Sequence, residues 1–437
     1  MKVVIIAGGR GSRMGVVSET TPKALLKVAG KSLLEHQFKL LKSQGFNQVL
    51  ILTNYLGEKI REFAGDGSRF GLSVRCISED QPLGTAGAVR AAEKYLANDF
   101  LVVYGDELMN VDFKRLLNYH KLQKIKHKSL VGTLAVHPND HPFDSNLVEV
   151  GQDGLITNFL TKPHKPDLLF RNLASTPVYV LSPKIFKYIP RNTLVDFGRQ
   201  VFPTVLKRGA NLAAYSTPEY IKDIGTPQRI QEAEAAIKSG KFKAGSLRTK
   251  RPAIFLDRDG VINKEVGDLR RVKNFELLPG SVEAIKKINH SGYYAIVITN
   301  QPVVAKGFCT MEELLEIHKK METELAKTGA KLDAIYFCPH HPDKGFPGEN
   351  KKYKIVCRCR KPKIDMIKLA TKDFNIDLKK SYTIGDRTAD YELAQRAGLK
   401  FIGVKTGYAL KDGHYKIVVR PLLAKNLFSA VKKIIKK

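Results

Sequence analysis

Short, unbroken apolar runs recur along the chain, and each ends in glycine, an amide or a carboxylate. Val3-Val4-Ile5-Ile6-Ala7, Val49-Leu50-Ile51-Leu52, Phe100-Leu101-Val102-Val103-Tyr104, Ala253-Ile254-Phe255-Leu256 and Tyr294-Ala295-Ile296-Val297-Ile298 have the length and uninterrupted apolar character of strands buried on both faces. Between them, Leu33 to Leu41 carries apolar residues at helical spacing, as does the stretch Gln231 to Lys238. Thr310 and Glu313 stand at capping-box spacing and predict a helix start. Strand alternating with helix predicts an α/β fold with a parallel sheet. Ligands in such sheets collect beyond the carboxyl ends of the strands, so the residues that follow each run are the ones to read for chemistry.

Length changes the picture to two domains. At 437 residues the chain exceeds what one core covers, and Ser239 to Pro252 is glycine-bearing and cationic, which is the composition of a linker. The boundaries read are a domain over 1–240, a linker over 241–251 and a second domain over 252–437. A hydrophobic content of 43% with no apolar run of 18 residues indicates a soluble protein without a membrane span, and the apolar start is too short for a signal peptide. The expected location is the cytoplasm. The net charge of +30 suits nucleic acid, an anionic surface or phosphorylated small molecules. The lysines are scattered and no nucleic-acid recognition module is present, so the expected partners are small phosphorylated molecules. The pattern does not specify an oligomeric state.

Three of the five cysteines, Cys338, Cys357 and Cys359, cluster late in the chain. Cys338-Pro339-His340 and Cys357-Arg358-Cys359 supply four ligands in two pairs with a loop between, which points to a closed, structural zinc site in a reducing compartment. His341 reads as a solvated loop residue, and Cys76 and Cys309 as core thiols.

The first strand runs into Gly8-Gly9-Arg10-Gly11-Ser12-Arg13-Met14-Gly15, a glycine-rich loop that permits close approach of backbone to phosphate. Its spacing is neither that of the dinucleotide fingerprint nor that of the lysine-ending P-loop. Gly-Gly-x-Gly-x-Arg followed by Pro22-Lys23 resembles the sugar-phosphate nucleotidyltransferases, which join a sugar 1-phosphate to a nucleoside triphosphate and release pyrophosphate. Further stretches fit that family in order: Glu79 to Gly87, Gly105-Asp106, Thr161-Lys162-Pro163 and Asp223-Ile224-Gly225. The resemblance implies a Rossmann-like, GT-A-like domain in which Gly8, Gly9, Gly11, Ser12, Arg13 and Lys23 hold the triphosphate. It further implies that Gly84, Thr85 and Gly87 receive base and ribose, Asp106 and Asp223 hold Mg²⁺, and Lys162 grips the sugar phosphate. Cations are needed because one phosphate oxygen must approach another phosphorus through like charge. Where the family often has Asn-Ala-Gly, this chain has Ala174-Ser175-Thr176, with Ser175 or Asn172 as the replacement sugar contact. Where it often has an acid before Lys-Pro, Thr161 stands.

The second half opens on Asp257-Arg258-Asp259-Gly260. Alone, this motif reads as readily as a turn with two solvated acids as it does as a nucleophile and a proton carrier. Thr299-Asn300-Gln301 at the next strand end, Arg360-Lys361-Pro362, and Gly385-Asp386-Arg387-Thr388-Ala389-Asp390 complete a set that resembles the haloacid dehalogenase superfamily of phosphatases. The resemblance implies a Rossmannoid domain in which Asp257 becomes a phosphoaspartate and Asp259 protonates the leaving oxygen, then activates water. Thr299 and Lys361 would hold phosphoryl oxygens, and Asp386 would join Asp257 and the Asp259 carbonyl on Mg²⁺. The Cys-x-His and Cys-x-Cys pairs before Arg-Lys-Pro resemble the heptose 1,7-bisphosphate phosphatases and the related histidinol-phosphate phosphatases. Gln301-Pro302-Val303 departs from that family's usual residues, while Asn300 and Arg360 are the expected substrate contacts.

A phosphatase fused to a sugar-activating transferase implies consecutive steps. The expectation is removal of the 7-phosphate of D-glycero-α-D-manno-heptose 1,7-bisphosphate, then transfer of GMP from GTP to heptose 1-phosphate for surface polysaccharide or lipopolysaccharide. The adenine and β-anomer pairing is the rival, and histidinol phosphate fits the fusion poorly.

Overall fold

Val3, Val4 and Ile5 are fully buried, and their side chains divide between two apolar layers. Val4 joins Leu50, Leu52 and Val102 on one side, while Val3 and Ile5 join Leu34, Phe38 and Leu101 on the other. A strand with core on both faces reads as a continuous apolar run because neither alternate position meets water. The computed structural model describes residues 1–9 and 17–435 in two compact units.

In the first unit the longer strands are β1 (Lys2–Ile6), β2 (Gln48–Thr53), β3 (Ser73–Ser78), β4 (Phe100–Tyr104), β5 (Glu107–Met109), β6 (Leu130–His137), β7 (Leu147–Val150), β8 (Ile156–Leu160), β9 (Ala174–Leu181), β10 (Asn211–Ser216) and β11 (Ile221–Asp223). The main sheet has the order β8-β7-β9-β4-β1-β2-β3, with β6 pairing β9 and β10. β3, β2, β1 and β4 are parallel neighbours, so the loops after β1 and β4 leave from the same edge. β5 and β11 form a separate antiparallel ribbon that sets Asp223 opposite Glu107.

The second unit is built on β12 (Ala253–Leu256), β13 (Tyr294–Asn300), β14 (Ala334–Cys338), β15 (Tyr382–Gly385), β16 (Lys400–Val404) and β17 (Leu422–Ala424). They form one parallel sheet in the order β14-β13-β12-β15-β16-β17. Strand order reverses between β12 and β15, and at such a switch the loops beyond the carboxyl ends diverge and leave a crevice. The helix Met311–Ala326 starts at the Thr310 and Glu313 capping box that the sequence spacing predicts.

Two features of the chain's division differ from the sequence reading. Residues 241–248 are not a free spacer: Lys241–Ala244 is helical, Leu247 and Ser246 are buried, and the Glu219 carboxylate accepts from Leu247 N at 2.8 Å. Phe242 packs edge-on against Tyr220, so two apolar anchors override the linker-like composition. The first 240 residues also do not all belong to one unit, because Pro138–Phe143 and His164–Asn172 belong to the second. There Phe170 is fully buried with its N–H on Thr323 Oγ1 at 3.0 Å, and Arg171 pairs with buried Glu322. Asn172 is correspondingly excluded as a sugar contact. Its side chain is buried, donating to the Asn139 carbonyl at 2.7 Å and accepting from Asn139 N at 3.1 Å.

Candidate active sites

β12 delivers Asp257 to the crevice of the second unit, β13 delivers Thr299, and the turn after β15 delivers Asp386. Lys361 Nζ lies 2.8 Å from Asp257 Oδ2 and 2.6 Å from Asp390 Oδ1. Burial opposes the charge on Lys361, but Asp257 and Asp390 outweigh it and raise its pKa. Asp257, Asp386 and Asp390 present oxygens that all lie within 4.8 Å of one another. Burial, then Asp257 and Asp390, push the Asp386 carboxyl up to about 8, and burial and Asp257 push Asp390 to about 6. Asp386 Oδ2 accepts from Tyr408 N at 2.8 Å, while its buried Oδ1 has no hydrogen-bond partner among the described residues. An orphaned carboxylate oxygen in a three-acid cluster fits a hard divalent cation with oxygen ligands such as Mg²⁺. Glycine is required on both sides of Asp386. Gly260 and Gly407 have φ of 75° and 66°, and a Cβ at either would come within 2.5 and 2.1 Å of Asp386 Oδ2.

Asp259 faces a different set of partners. The fully buried Arg258 guanidinium donates to it through Nε and Nη2 at 2.9–3.2 Å, Asn263 Nδ2 at 2.9 Å and Gln301 Nε2 at 2.7 Å. Burial favours the neutral carboxyl, but Arg258 beside it reverses the balance and holds its pKa below the ordinary value. Gln301 also accepts from Arg258 Nη2 and donates to Thr299 Oγ1 at 2.9 Å, so one amide orients both the Asp259 carboxylate and the Thr299 hydroxyl.

The loop after β14 brings Cys338, His340, Cys357 and Cys359 together with their ligand atoms within 4.8 Å. Cys338 Sγ is 3.5 Å from Cys357 Sγ and 3.1 Å from Cys359 Sγ, and His340 Nδ1 is 3.2 Å from Cys359 Sγ. A tetrahedral ion with Zn–S bonds of about 2.3 Å has S–S edges of about 3.8 Å, close to this spacing. Burial lowers the His340 pKa, which keeps its ring neutral and able to ligate.

In the first unit Lys23 Nζ donates to Asp106 Oδ2 at 3.0 Å, and Asp223 pairs with Arg229. The ribbon of β5 and β11 sets buried Glu107 beside them, and burial, Asp106 and Asp223 drive its carboxyl well above the usual range. Gly8, Gly9, Asn54, Glu79, Pro82, Gly84 and Thr85 line a cavity of about 290 Å³ at the carboxyl ends of β1 and β2. Glu79 Oε1 is buried without a partner among the described residues, and burial raises its carboxyl to about 7.

The nucleotidyl transferase family model matches residues 2–240, and the HAD-hydrolase-like model matches residues 358–423. The D-glycero-β-D-manno-heptose-1,7-bisphosphate 7-phosphatase of Yersinia pestis is 39% identical over 158 residues, covering 36% of this chain and 81% of the relative. The chain belongs to the nucleotidyl transferase family and, through its second half, to the heptose bisphosphate phosphatases. The D-glycero-α-D-manno-heptose-1,7-bisphosphate 7-phosphatase of Photorhabdus laumondii is 36% identical over 181 residues, covering 41% of this chain and 94% of the relative. The solved structure of HddC from Yersinia pseudotuberculosis with GMP-PN is similar at 24% identity and a TM-score of 0.45, covering 54% of this chain and 99% of that one. The protein is an enzyme with nucleotidyltransferase and phosphatase halves that act on sugar phosphates and nucleotides. Among the described residues no helix is long and apolar enough to cross a membrane.

Within the phosphatase half, Asp257, Thr299, Lys361, Asp386 and the four zinc-type ligands stand together as their motifs place them. Asn300 is engaged in positioning Lys361, accepting from its N–H at 2.9 Å and donating to its carbonyl at 3.2 Å. The Asp259 carboxylate faces Arg258 rather than the acid cluster, where Asp390 stands instead. Asp390 is the last residue of the Gly385 to Asp390 motif. Its Oδ2 accepts from Arg387 N at 3.1 Å, which is the geometry of a helix start, so a capping role hides its second one in the sequence.

In the transferase half, Gly11, Ser12 and Arg13 lie outside the described residues. Lys162 is exposed and donates to the Asp144 carbonyl at 2.6 Å. Gly84 and Thr85 line the cavity with Glu79, and on the side where a side chain would stand Gly84 and Gly87 are approached closely by the chain. A Cβ at either would come within 2.6 Å of a carbonyl, Val195 O or Thr193 O respectively. The Thr85 hydroxyl donates to Asp196 Oδ2 at 2.8 Å. Glu79 sits inside a stretch that the sequence reading treats as backbone contact. Its burial comes from residues distant in sequence, so spacing alone does not single it out.

Proposed function

We propose that the phosphatase half removes the 7-phosphate of D-glycero-D-manno-heptose 1,7-bisphosphate and the transferase half moves GMP from GTP to the heptose 1-phosphate formed, giving GDP-heptose and pyrophosphate. The observation that carries this reading is the pairing of an intact phosphoaspartate site (Asp257, Thr299, Lys361) with a transferase half on one chain, beside relatives named for heptose bisphosphate. Those relatives include both anomers. The α anomer is proposed because it pairs with guanine in the resemblance from which the reading starts.

Asp257 attacks the phosphorus of the 7-phosphate, the bond from phosphorus to the C7 oxygen breaks, and that oxygen takes a proton from Asp259. Water then attacks the phosphoaspartate, Asp259 takes its proton, and inorganic phosphate leaves with Asp257 restored. Asp259 enters the cycle protonated; Arg258, Asn263 and Gln301 hold the carboxylate it becomes between the two halves, and the proton taken from water restores the starting form. Asp257, Asp386 and the Asp259 carbonyl would hold Mg²⁺ here, and Asp106 and Asp223 would hold it in the transferase half. The ion offsets the charge between two approaching anions. The four Cys and His ligands leave no open position and would hold zinc as a structural ion.

Guanine is supported by Glu79. A carboxylate facing the cavity accepts from the adjacent N1–H and N2–H of guanine, whereas adenine presents a donor beside an acceptor at that edge. The test is pyrophosphate release with Mg²⁺, heptose 1,7-bisphosphate and each nucleoside triphosphate in turn. Release with GTP that vanishes in Asp257→Asn and returns on adding heptose 1-phosphate is expected. Release with ATP and the β anomer would replace the nucleotide and anomer and keep both reaction types.

A further inference from the structure

The cleft around Asp257 measures about 500 Å³, and its lining includes cations that the chemistry at Asp257 does not use. Two of them are already covered by carboxylates. Lys306 Nζ lies 3.1 and 3.2 Å from the oxygens of Asp268, and Arg387 Nη2 lies 3.1 Å from Glu265 Oε2. Glu265 and Asp268 belong to one loop after β12, with Gly267 between them at φ 77°. The cations have other supports. The Lys306 ammonium sits 5.0 Å from the Phe346 ring centre, and the Arg387 guanidinium lies 3.8 Å over Tyr408. Arg360 donates to the His340 carbonyl at 3.3 Å and has no carboxylate partner among the described residues. Along the whole cleft carboxylates outnumber lysines and arginines. A bisphosphate therefore meets a mouth whose positive charge is mostly cancelled.

We propose that the loop from Glu265 to Asp268 is a built-in competitor for the second phosphate of the substrate. Its carboxylates occupy Lys306 and Arg387 until a distal phosphate displaces them, and this exchange selects bisphosphates over monophosphates. The inference rests on the sugar bisphosphate reading above and adds the groups that enforce it. No covalent bond changes. A phosphomonoester brings up to two charges and three acceptor oxygens where each carboxylate brings one charge and two oxygens, so the exchange favours the phosphate. The rings keep the cations in place while the glycine-bearing loop withdraws. A monophosphate cannot drive the exchange and gains nothing from Lys306 or Arg387.

The test uses the full chain with Mg²⁺ and compares kcat/KM for heptose 1,7-bisphosphate with that for heptose 7-phosphate. Lys306→Met is expected to lower the preference for the bisphosphate about tenfold or more, as loss of a charge-assisted contact does, and Lys306→Arg to restore most of it. Asp268→Asn is expected to lower KM for the bisphosphate about two- to fivefold and raise the preference, because the competitor is gone. Equal effects of Lys306→Met on both substrates, or an unmoved preference in Asp268→Asn, would overturn the exchange. Failure to hydrolyse heptose 1,7-bisphosphate would sink the substrate reading alone, since the same ratios on fructose 1,6-bisphosphate and fructose 6-phosphate still decide the exchange. A protein that hydrolyses neither bisphosphate overturns both.

Discussion

The phosphatase site and the transferase site hold their charged groups in opposite ways. Around Asp257 the charges are sealed, with the Lys361 and Asp390 side chains only 3% and 1% exposed. Around Asp106 they stand open, with Lys23 and Asp106 at 13% and 27% and Lys162 on an exposed loop. The difference follows from what each site must admit. A phosphoaspartate cycle handles one phosphoryl group and one water, so burial strengthens each electrostatic contact and excludes stray water. A nucleotidyltransferase must take in a triphosphate and a sugar phosphate and let two anions go, and an enclosed cluster would block that traffic.

The sharpest way to break the comparison is Lys361→Met. It leaves Asp257, Asp386 and Asp390 buried without their cation. The expected result is loss of phosphatase turnover and a destabilisation of about 3–5 kcal/mol, read by denaturant melting. The open site predicts no such cost: Lys23→Met should depress pyrophosphate release while leaving the melting midpoint near that of the parent. Equal destabilisation by the two variants would remove the contrast.

Cys357→Ala tests the Cys and His cluster, in which Cys338 is buried and the other three residues are half-buried. It should cost the protein one equivalent of zinc by metal analysis and lower the melting temperature, with pyrophosphate release from added heptose 1-phosphate affected least. A protein that purifies without zinc and melts as the variant does would show the four ligands to be structural thiols and imidazole only.

The acid cluster makes a prediction about pH. The Asp386 carboxyl moves from an ordinary 3.8 to about 8 in the metal-free fold. Its stabilising protonated form is complete below about 4 and is lost as pH rises towards 8, so the metal-free phosphatase unit weakens over that window. Mg²⁺ needs the ionised form and compensates it. The rise in melting temperature on adding Mg²⁺ should therefore be larger at pH 8 than at pH 6, and a pH-independent rise would count against Asp386 as a ligand.

The smallest effect is expected in the open site. Glu79 moves from 4.5 to about 7, so it is largely protonated below neutrality and largely ionised above it. The ionised form accepts two donors from guanine, and preference for GTP over ATP should grow as pH rises through 7. Glu79→Gln should flatten that dependence and lower the preference by about 1–3 kcal/mol in initial-rate measurements.

Much of this was legible in the chain. Unbroken apolar runs ending in glycine or aspartate announced buried parallel strands, and strand-end residues are brought together by the sheet whatever the helices between them do. That is why Asp257, Thr299 and Asp386 could be named together although β12, β13 and β15 lie far apart in sequence. Asp390 and Gln301 were quoted within motifs yet not given their roles. One caps a helix and the other follows a strand, and both look complete in those local tasks. Asn300 was read as a substrate contact; it lines the cleft, and its amide also bonds the Lys361 backbone, a task that only the fold shows.

The sequence by itself determined the two α/β units, the families and the grouping of Cys338, His340, Cys357 and Cys359, because each depends on local pattern and on residues at fixed spacing. Tertiary structure alone decided which charges cancel. The pairing of Lys306 with Asp268, the bond from Gln301 to Asp259, and the passage of His164–Asn172 into the second unit all join separated segments. Electrostatic and packing energies depend on distance in space, and a strip of residues carries no such distance.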